Sequence, residues 1–150
     1  MKRILVTGAS GQIGSELVPS LRKRYGPENV IAAGHKTMPD KDMLEGGHSC
    51  RLDVRDPEAV EKIIKEYRID TVFHLAALLS AIAEKDLQLA WDVNINGLRN
   101  ILEAARKFNL SVFFPSSIGT FGPSTPPDNT PQNTIQRPTT IYGITKLTGE

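Results

Sequence analysis

Cysteine is nearly missing from this chain: among 150 residues there is one, Cys50. A lone thiol excludes an internal disulfide and fits a reducing compartment, so the expected location is the cytoplasm. Cys50 itself reads as a small residue packed on a strand. Histidine is scarce as well. His35, His48 and His74 lack the spacing of metal ligands, and no metal site is expected. Excess charge of either sign is absent; the formal net charge is +1. Nothing therefore argues for a nucleic-acid partner or an anionic membrane surface. No apolar run approaches the length of a membrane-spanning helix. The first residues lead straight into an apolar strand pattern, so no signal peptide is expected. No Gly-Lys-Ser/Thr sequence follows the early glycines, which excludes the phosphate loop of nucleoside triphosphatases. There is no internal repeat.

What the chain does have is glycine in one telling place. Ile4-Leu5-Val6 is a short apolar run, as expected of a strand buried on both faces. Ile13, Leu17 and Leu21 then recur every four residues, one face of a helix. Between the two lie Gly8, Gly11 and Gly14, spaced G-x-x-G-x-x-G rather than G-x-G-x-x-G. Such a turn lets backbone approach another body closely, and the free N–H groups of the helix that follows favour an anion. A pyrophosphate is the natural guest. The plainer alternative is a turn that only packs the helix against the strand.

The rest of the chain alternates in the same way. Val30 to Ala33 reads as a second strand, residues 34 to 48 as a loop, and Cys50 to Val54 as a third strand. Asp56 caps a helix with Pro57 at its first position. Val60, Ile63, Ile64 and Tyr67 give that helix a clean apolar stripe. Thr71 to Ala76 is a fourth strand. A long helical pattern covers roughly Leu87 to Phe108, with Leu98, Ile101, Leu102 and Ala105 facing the core. Ser111 to Phe114 is a fifth strand. This order implies an α/β fold, a doubly wound parallel sheet of the Rossmann type, and the length suits one domain over residues 1–150. Pro19, inside the first helix, is expected to kink it or weaken it. Residues 118 to 140 hold five of the ten prolines. A loop this long leaving a strand's carboxyl end is the expected wall of an active site; the alternative is a flexible surface connection.

Tyr142 and Lys146 stand four residues apart, so on a helix both lie on one face. A free tyrosine is a poor base near neutrality, and a neighbouring cation favours its phenolate, which makes the pair a general acid/base. A surface tyrosine and lysine would be the default reading of this spacing alone. The glycine loop upstream and Ser116-Ser117 at the end of the fifth strand add weight to the chemical one.

Together these residues resemble the extended, epimerase-like branch of the short-chain dehydrogenase/reductase superfamily. The resemblance runs the length of the chain. It includes Thr7 to Gly14, Leu52-Asp53-Val54, His74-Leu75-Ala76-Ala77, Asn94-Ile95-Asn96-Gly97, Ser116-Ser117 and Tyr142 to Lys146. It implies that Gly8, Gly11, Gln12, Ile13 and Gly14 hold the pyrophosphate, and that Asp53, with Val54, meets the adenine. It also implies that Leu75, Ala76, Ala77 and Asn94 line the cofactor. Ser117, Tyr142 and Lys146 are then the catalytic set, with Tyr142 and Lys146 also against the cofactor. The nearer likeness is to the short-chain type of L-threonine 3-dehydrogenase, through Ala76 to Ala81, Phe121 to Pro126 and Thr134-Ile135-Gln136-Arg137-Pro138. That subfamily implies L-threonine as substrate and NAD as cofactor. Ser80 then contacts the amino acid, Ser116 assists, and a homodimer forms through the helices near 90–108 and Tyr142. Many relatives carry Thr at the position of Ser117, and either hydroxyl serves.

One departure concerns the cofactor. NAD-using relatives commonly end the second strand with an Asp that binds the ribose 2′-OH, whereas here the stretch is Ala33-Gly34-His35-Lys36. Lys36 and His35 leave NADP open beside NAD. Two other readings of the activity remain at this level: a nucleotide-sugar 4-epimerase or dehydratase, which returns its hydride, and a regulator that binds NAD(P) without catalysis. The sequence stops at Glu150, within a helical pattern. The expectation is a fragment lacking a C-terminal substrate domain, with little or no activity on its own.

Overall fold

The computed structural model describes residues 3–150. Five parallel strands form one sheet: β1 (Ile4–Thr7), β2 (Val30–Gly34), β3 (Ser49–Arg51), β4 (Thr71–His74) and β5 (Ser111–Phe113), in the order β3-β2-β1-β4-β5. Leu5 stands beside Ile31 on one side and Val72 on the other. Because side chains alternate along a strand, Leu5, Ile31 and Val72 pack on one face with Val60, Ile64, Ile101 and Ala104. Ile4, Val6, Val30 and Ala32 pack on the other with Val18 and Leu21. Both faces are thus covered, which is why β1 and β2 read as unbroken apolar runs. This is the doubly wound arrangement that the alternating pattern implied.

The helices are α1 (Gln12–Tyr25), α2 (Lys41–Glu45), α3 (Pro57–Tyr67), α4 (Ser80–Ala83), α5 (Leu87–Trp91), α6 (Gly97–Phe108) and α7 (Ile141–Gly149). Asp56 caps α3 by accepting from the N–H groups of Glu58 and Ala59. Arg22 leaves α1 for the segment between β2 and β3, donating to the Met43 and His48 carbonyls at 2.5 and 2.7 Å. α1 runs through Pro19, which is exposed, so the residue displaces no packing. None of the described helices is long and apolar enough to cross a membrane.

Several expectations are corrected. Residues 34–48 are not all loop: Asp40 accepts from the Met43 N–H and starts α2. The third, fourth and fifth strands end earlier than the apolar runs suggest, at Arg51, His74 and Phe113. The last rungs are Leu52 N–H to Gly34 and Leu75 N–H to Thr7. Beyond the second of them β1 turns away from β4 at Gly8, where φ is +69°. Ile13 is 60% exposed, and the buried face of α1 is Gly14, Val18, Leu21 and Arg22. On α6 the buried stripe is Gly97, Leu98, Ile101 and Ala104, and Leu102 is exposed beside it. Between α5 and α6 the chain is wound as a π-helix over Asp92–Asn96.

Candidate active site

All five strands point the same way, so their carboxyl ends share one edge of the sheet. Along it a cavity of about 310 Å³ opens at the ends of β1 to β4. The chain leaves β1 at Gly8, where a Cβ would lie 2.8 Å from the Ala76 nitrogen. A Cβ on Gly14 would lie 2.5 Å from the Gly8 carbonyl oxygen. Both glycines are therefore required for the loop to close on β4 and on α1. A Cβ on Gly11 would meet only the Gly8 oxygen, at 3.2 Å, so its space is otherwise open, and Gly11 lines the cavity. α1 begins there with no side-chain cap and no acid in its first turn. Its first N–H groups stay free for an anion at the positive end of the dipole.

Of the residues singled out for the cofactor, Gly8, Gly11, Lys36, Asp53, Val54, Leu75, Ala76 and Ala77 line this cavity. Gly14 lies beneath the loop, while Gln12 and Ile13 are exposed on the first turn of α1. Asn94 is buried outside the cavity, on the π-helical segment. Its amide accepts from Leu78 N–H at 2.8 Å and donates to the Leu78 carbonyl and Thr145 Oγ1, both at 3.1 Å. Asp53 accepts from Arg55 through the backbone N–H, Nε and Nη2 at 2.6 to 3.1 Å, and His35 Nε2 lies 3.4 Å away. Those donors, Arg55 first, hold its carboxyl down at about 2.

The second half of the site lies at the end of β5. Ser117 is extended, and its Oγ accepts from the Gly119 N–H at 3.1 Å, starting the 3-10 turn Ile118–Thr120. A Cβ on Gly119 would sit 3.4 Å from Ser117 Oγ and 3.5 Å from the Tyr142 ring. One on Gly143 would sit 2.1 Å from the Gly119 oxygen. Gly143 thus lets α7 dock against the turn, and Ser117 Oγ and the Tyr142 ring both border the space beside Gly119. Thr140 caps α7 by accepting from the Gly143 N–H at 3.1 Å. One turn on, Lys146 is buried and donates to the Pro115 carbonyl at 2.9 Å. Its ammonium lies 4.4 Å from the Phe114 ring centre and 5.8 Å from that of Tyr142. Burial pushes its pKa down.

Ser116 points the other way, bonded to the Glu150 carboxylate. Ser80 is the exposed first residue of α4, and this short helix packs near α7, where Glu84 accepts from Ile141 N–H at 2.7 Å. Residues 118–140 fold back on themselves through Thr125, which accepts from Gly122 N–H and donates to the Ile135 carbonyl. Among the described residues, no group of three or more His, Cys, Asp or Glu could hold a metal.

Sequence reasoning missed Gly143, whose role depends on how close α7 comes to the turn. It also missed His74 as a side chain with a task. That ring is fully buried and shares a 2.9 Å hydrogen bond with Thr7 Oγ1. It stacks on Phe114 at 6.2 Å between ring centres, and the Lys146 ammonium lies 4.4 Å from the centre of the same ring.

The sequence model of the NAD dependent epimerase/dehydratase family matches residues 4–150. The chain belongs to that family. The family's cofactor is NAD, and the uncapped helix start, the cleared glycine loop and the cavity beside them fit a dinucleotide. An uncharacterized epimerase/dehydratase of Staphylococcus saprophyticus is 51% identical over the whole chain, which covers 47% of that relative. The L-threonine dehydrogenase of Clostridium difficile superposes with a TM-score of 0.95 at 49% identity, covering 99% of this chain and 47% of that one. The UDP-glucose 4-epimerase of Thermus thermophilus, solved with NAD, gives 0.84 at 30% identity, covering 98% and 48%. The chain thus spans about half the length of the curated relatives and solved structures it matches.

Proposed function

We propose that this chain is the dinucleotide-binding half of an L-threonine 3-dehydrogenase, with its catalytic set in the turn after β5 and on α7. The observation that carries the reading is the corner where Ser117 and Tyr142 flank Gly119, with the buried Lys146 behind them. Identity of 49% to a threonine dehydrogenase, against 30% to a UDP-glucose 4-epimerase, supports the substrate.

Tyr142, as phenolate, takes the proton of the C3 hydroxyl of L-threonine, and Ser117 donates a hydrogen bond to the same oxygen. The Lys146 ammonium attracts the phenolate charge and has donors left for the ribose hydroxyls of the cofactor. When bound, NAD supplies the acceptor for the hydride that leaves C3. The product is 2-amino-3-oxobutanoate. Gly8, Gly11 and the first turn of α1, with Gln12, Ile13 and Gly14, hold the pyrophosphate. Ser80 helps to seat the amino acid, while Ser116, held by the Glu150 carboxylate, is not part of the set. A second copy docks on the helices that expose Trp91, Leu102 and Ile144, and sedimentation of the native chain against a Trp91→Lys variant tests that dimer.

Threonine-dependent formation of NADH by the full-length protein tests the activity. Tyr142→Phe is expected to lower kcat by at least about 100-fold, the usual contribution of a general base. Interconversion of UDP-glucose and UDP-galactose without net NADH would replace the reading with that of an epimerase.

A further inference from the structure

A dinucleotide pocket that selects NAD commonly ends its second strand with an acid, whose carboxylate bonds the ribose 2′-OH and repels a 2′-phosphate. Here β2 ends at Gly34 and is followed by His35, Lys36 and Thr37, all exposed and all on the cavity rim. Gly34 makes the turn possible, since a Cβ there would lie 2.6 Å from the Thr37 oxygen. The next residues are therefore presented at the mouth rather than carried away along a strand.

Asp53 supplies the one carboxylate on the lining, and its charge is already answered. Arg55 grips it through side chain and backbone, and His35 lies within 3.4 Å. Lys36, by contrast, has neither ion pair nor side-chain hydrogen bond among the described residues. The rim thus carries two permanent cations, Lys36 and Arg55, against one anion. The uncompensated charge is an ammonium on a flexible stem, a group that meets phosphate oxygens from many directions.

We propose that the adenosine-ribose end of this pocket accepts a 2′-phosphate, with Lys36 as its main partner and His35 beside it, so that the chain binds NADP as well as NAD. The proposal rests on reading the cavity as a dinucleotide site. NAD stays accommodated because nothing at the rim requires the extra phosphate.

Calorimetric titration of the full-length protein with NAD and, separately, NADP reads this without turnover. The NADP Kd is expected within about tenfold of the NAD Kd, where a rim acid would widen the gap further. Lys36→Glu is expected to raise the NADP-to-NAD Kd ratio by roughly tenfold or more, and Lys36→Arg to keep it within about threefold of native. The same order is expected for 2′,5′-ADP against ADP, with the phosphorylated ligand losing more affinity as salt rises. NAD binding with NADP weaker by more than about tenfold overturns this proposal and leaves the dinucleotide site standing. So does a ratio that Lys36→Glu does not move. Binding of neither nucleotide overturns both.

Discussion

Single side chains show most directly where this site has no slack. Gly14 is one: its Cα faces the Gly8 and Ala9 carbonyl oxygens so closely that a Cβ would stand 2.5 and 2.6 Å from them. Gly14→Ala must push the loop outward, away from β4. The expected cost is about 1–3 kcal/mol of stability together with at least a tenfold loss of NAD affinity, checked by urea unfolding and by calorimetry. His74 is another. Burial, with the Lys146 ammonium adding to it, pushes its imidazole down to about 4 from an ordinary 6.5. Between those values the unfolded chain takes up a proton that the folded chain refuses. The contribution of His74 to stability is therefore intact above pH 6.5, falls as the pH drops towards 4, and levels off below it. The full difference is on the order of 3 kcal/mol. Urea unfolding at pH 7 and pH 5 should show most of this loss, and His74→Asn should flatten the slope. The glycine was legible in the sequence because three glycines after an apolar run have few other uses. The histidine was not, since nothing local to His74 announces Thr7 or Phe114.

The helices and turns fix where the proposed catalytic set stands. α7 carries Tyr142 and Lys146, and it is held at both ends of its first two turns. Glu84 and Thr140 accept from its first N–H groups, and Asn94 donates to Thr145 from the π-helical segment. The same Asn94 amide closes on both backbone groups of Leu78, in the stretch that follows β4. Asn94→Leu would leave both half-buried backbone groups of Leu78 without their partner, while Thr145 Oγ1 would keep only its bond to the Tyr142 carbonyl. The expected loss is about 2–3 kcal/mol, measured by urea unfolding, with α7 amides exchanging faster than in the native chain. A π-turn of this kind often marks a functional position. The apolar spacing from Leu87 to Phe108 implied one continuous helix, because five residues of wider winding shift the hydrophobic stripe by less than one position. On α6 the buried stripe Leu98, Ile101 and Ala104 is turned by less than one position from the one the spacing suggested, which is enough to expose Leu102.

Across the whole molecule, parallel strands gather every loop that leaves a carboxyl end onto one edge, and the cavity and the corner of Ser117 and Tyr142 share that edge. A ligand that bridges these loops binds the folded chain alone. NAD at about 100 times its Kd should therefore stabilise it by roughly 2.7 kcal/mol, seen as a rise in Tm, and Gly14→Ala should reduce that rise. Fold class, the glycine turn and the Tyr142–Lys146 pair were all legible in the amino-acid order. Each depends on neighbours a few positions apart, where the periods of strand and helix and the demands of a tight turn act directly. The stack of His74, Phe114 and Lys146, the approach of Gly143 to Gly119 and the Asn94 brace were decided by the tertiary structure. They join residues from different strands and helices, and only the packed sheet sets the distances between those.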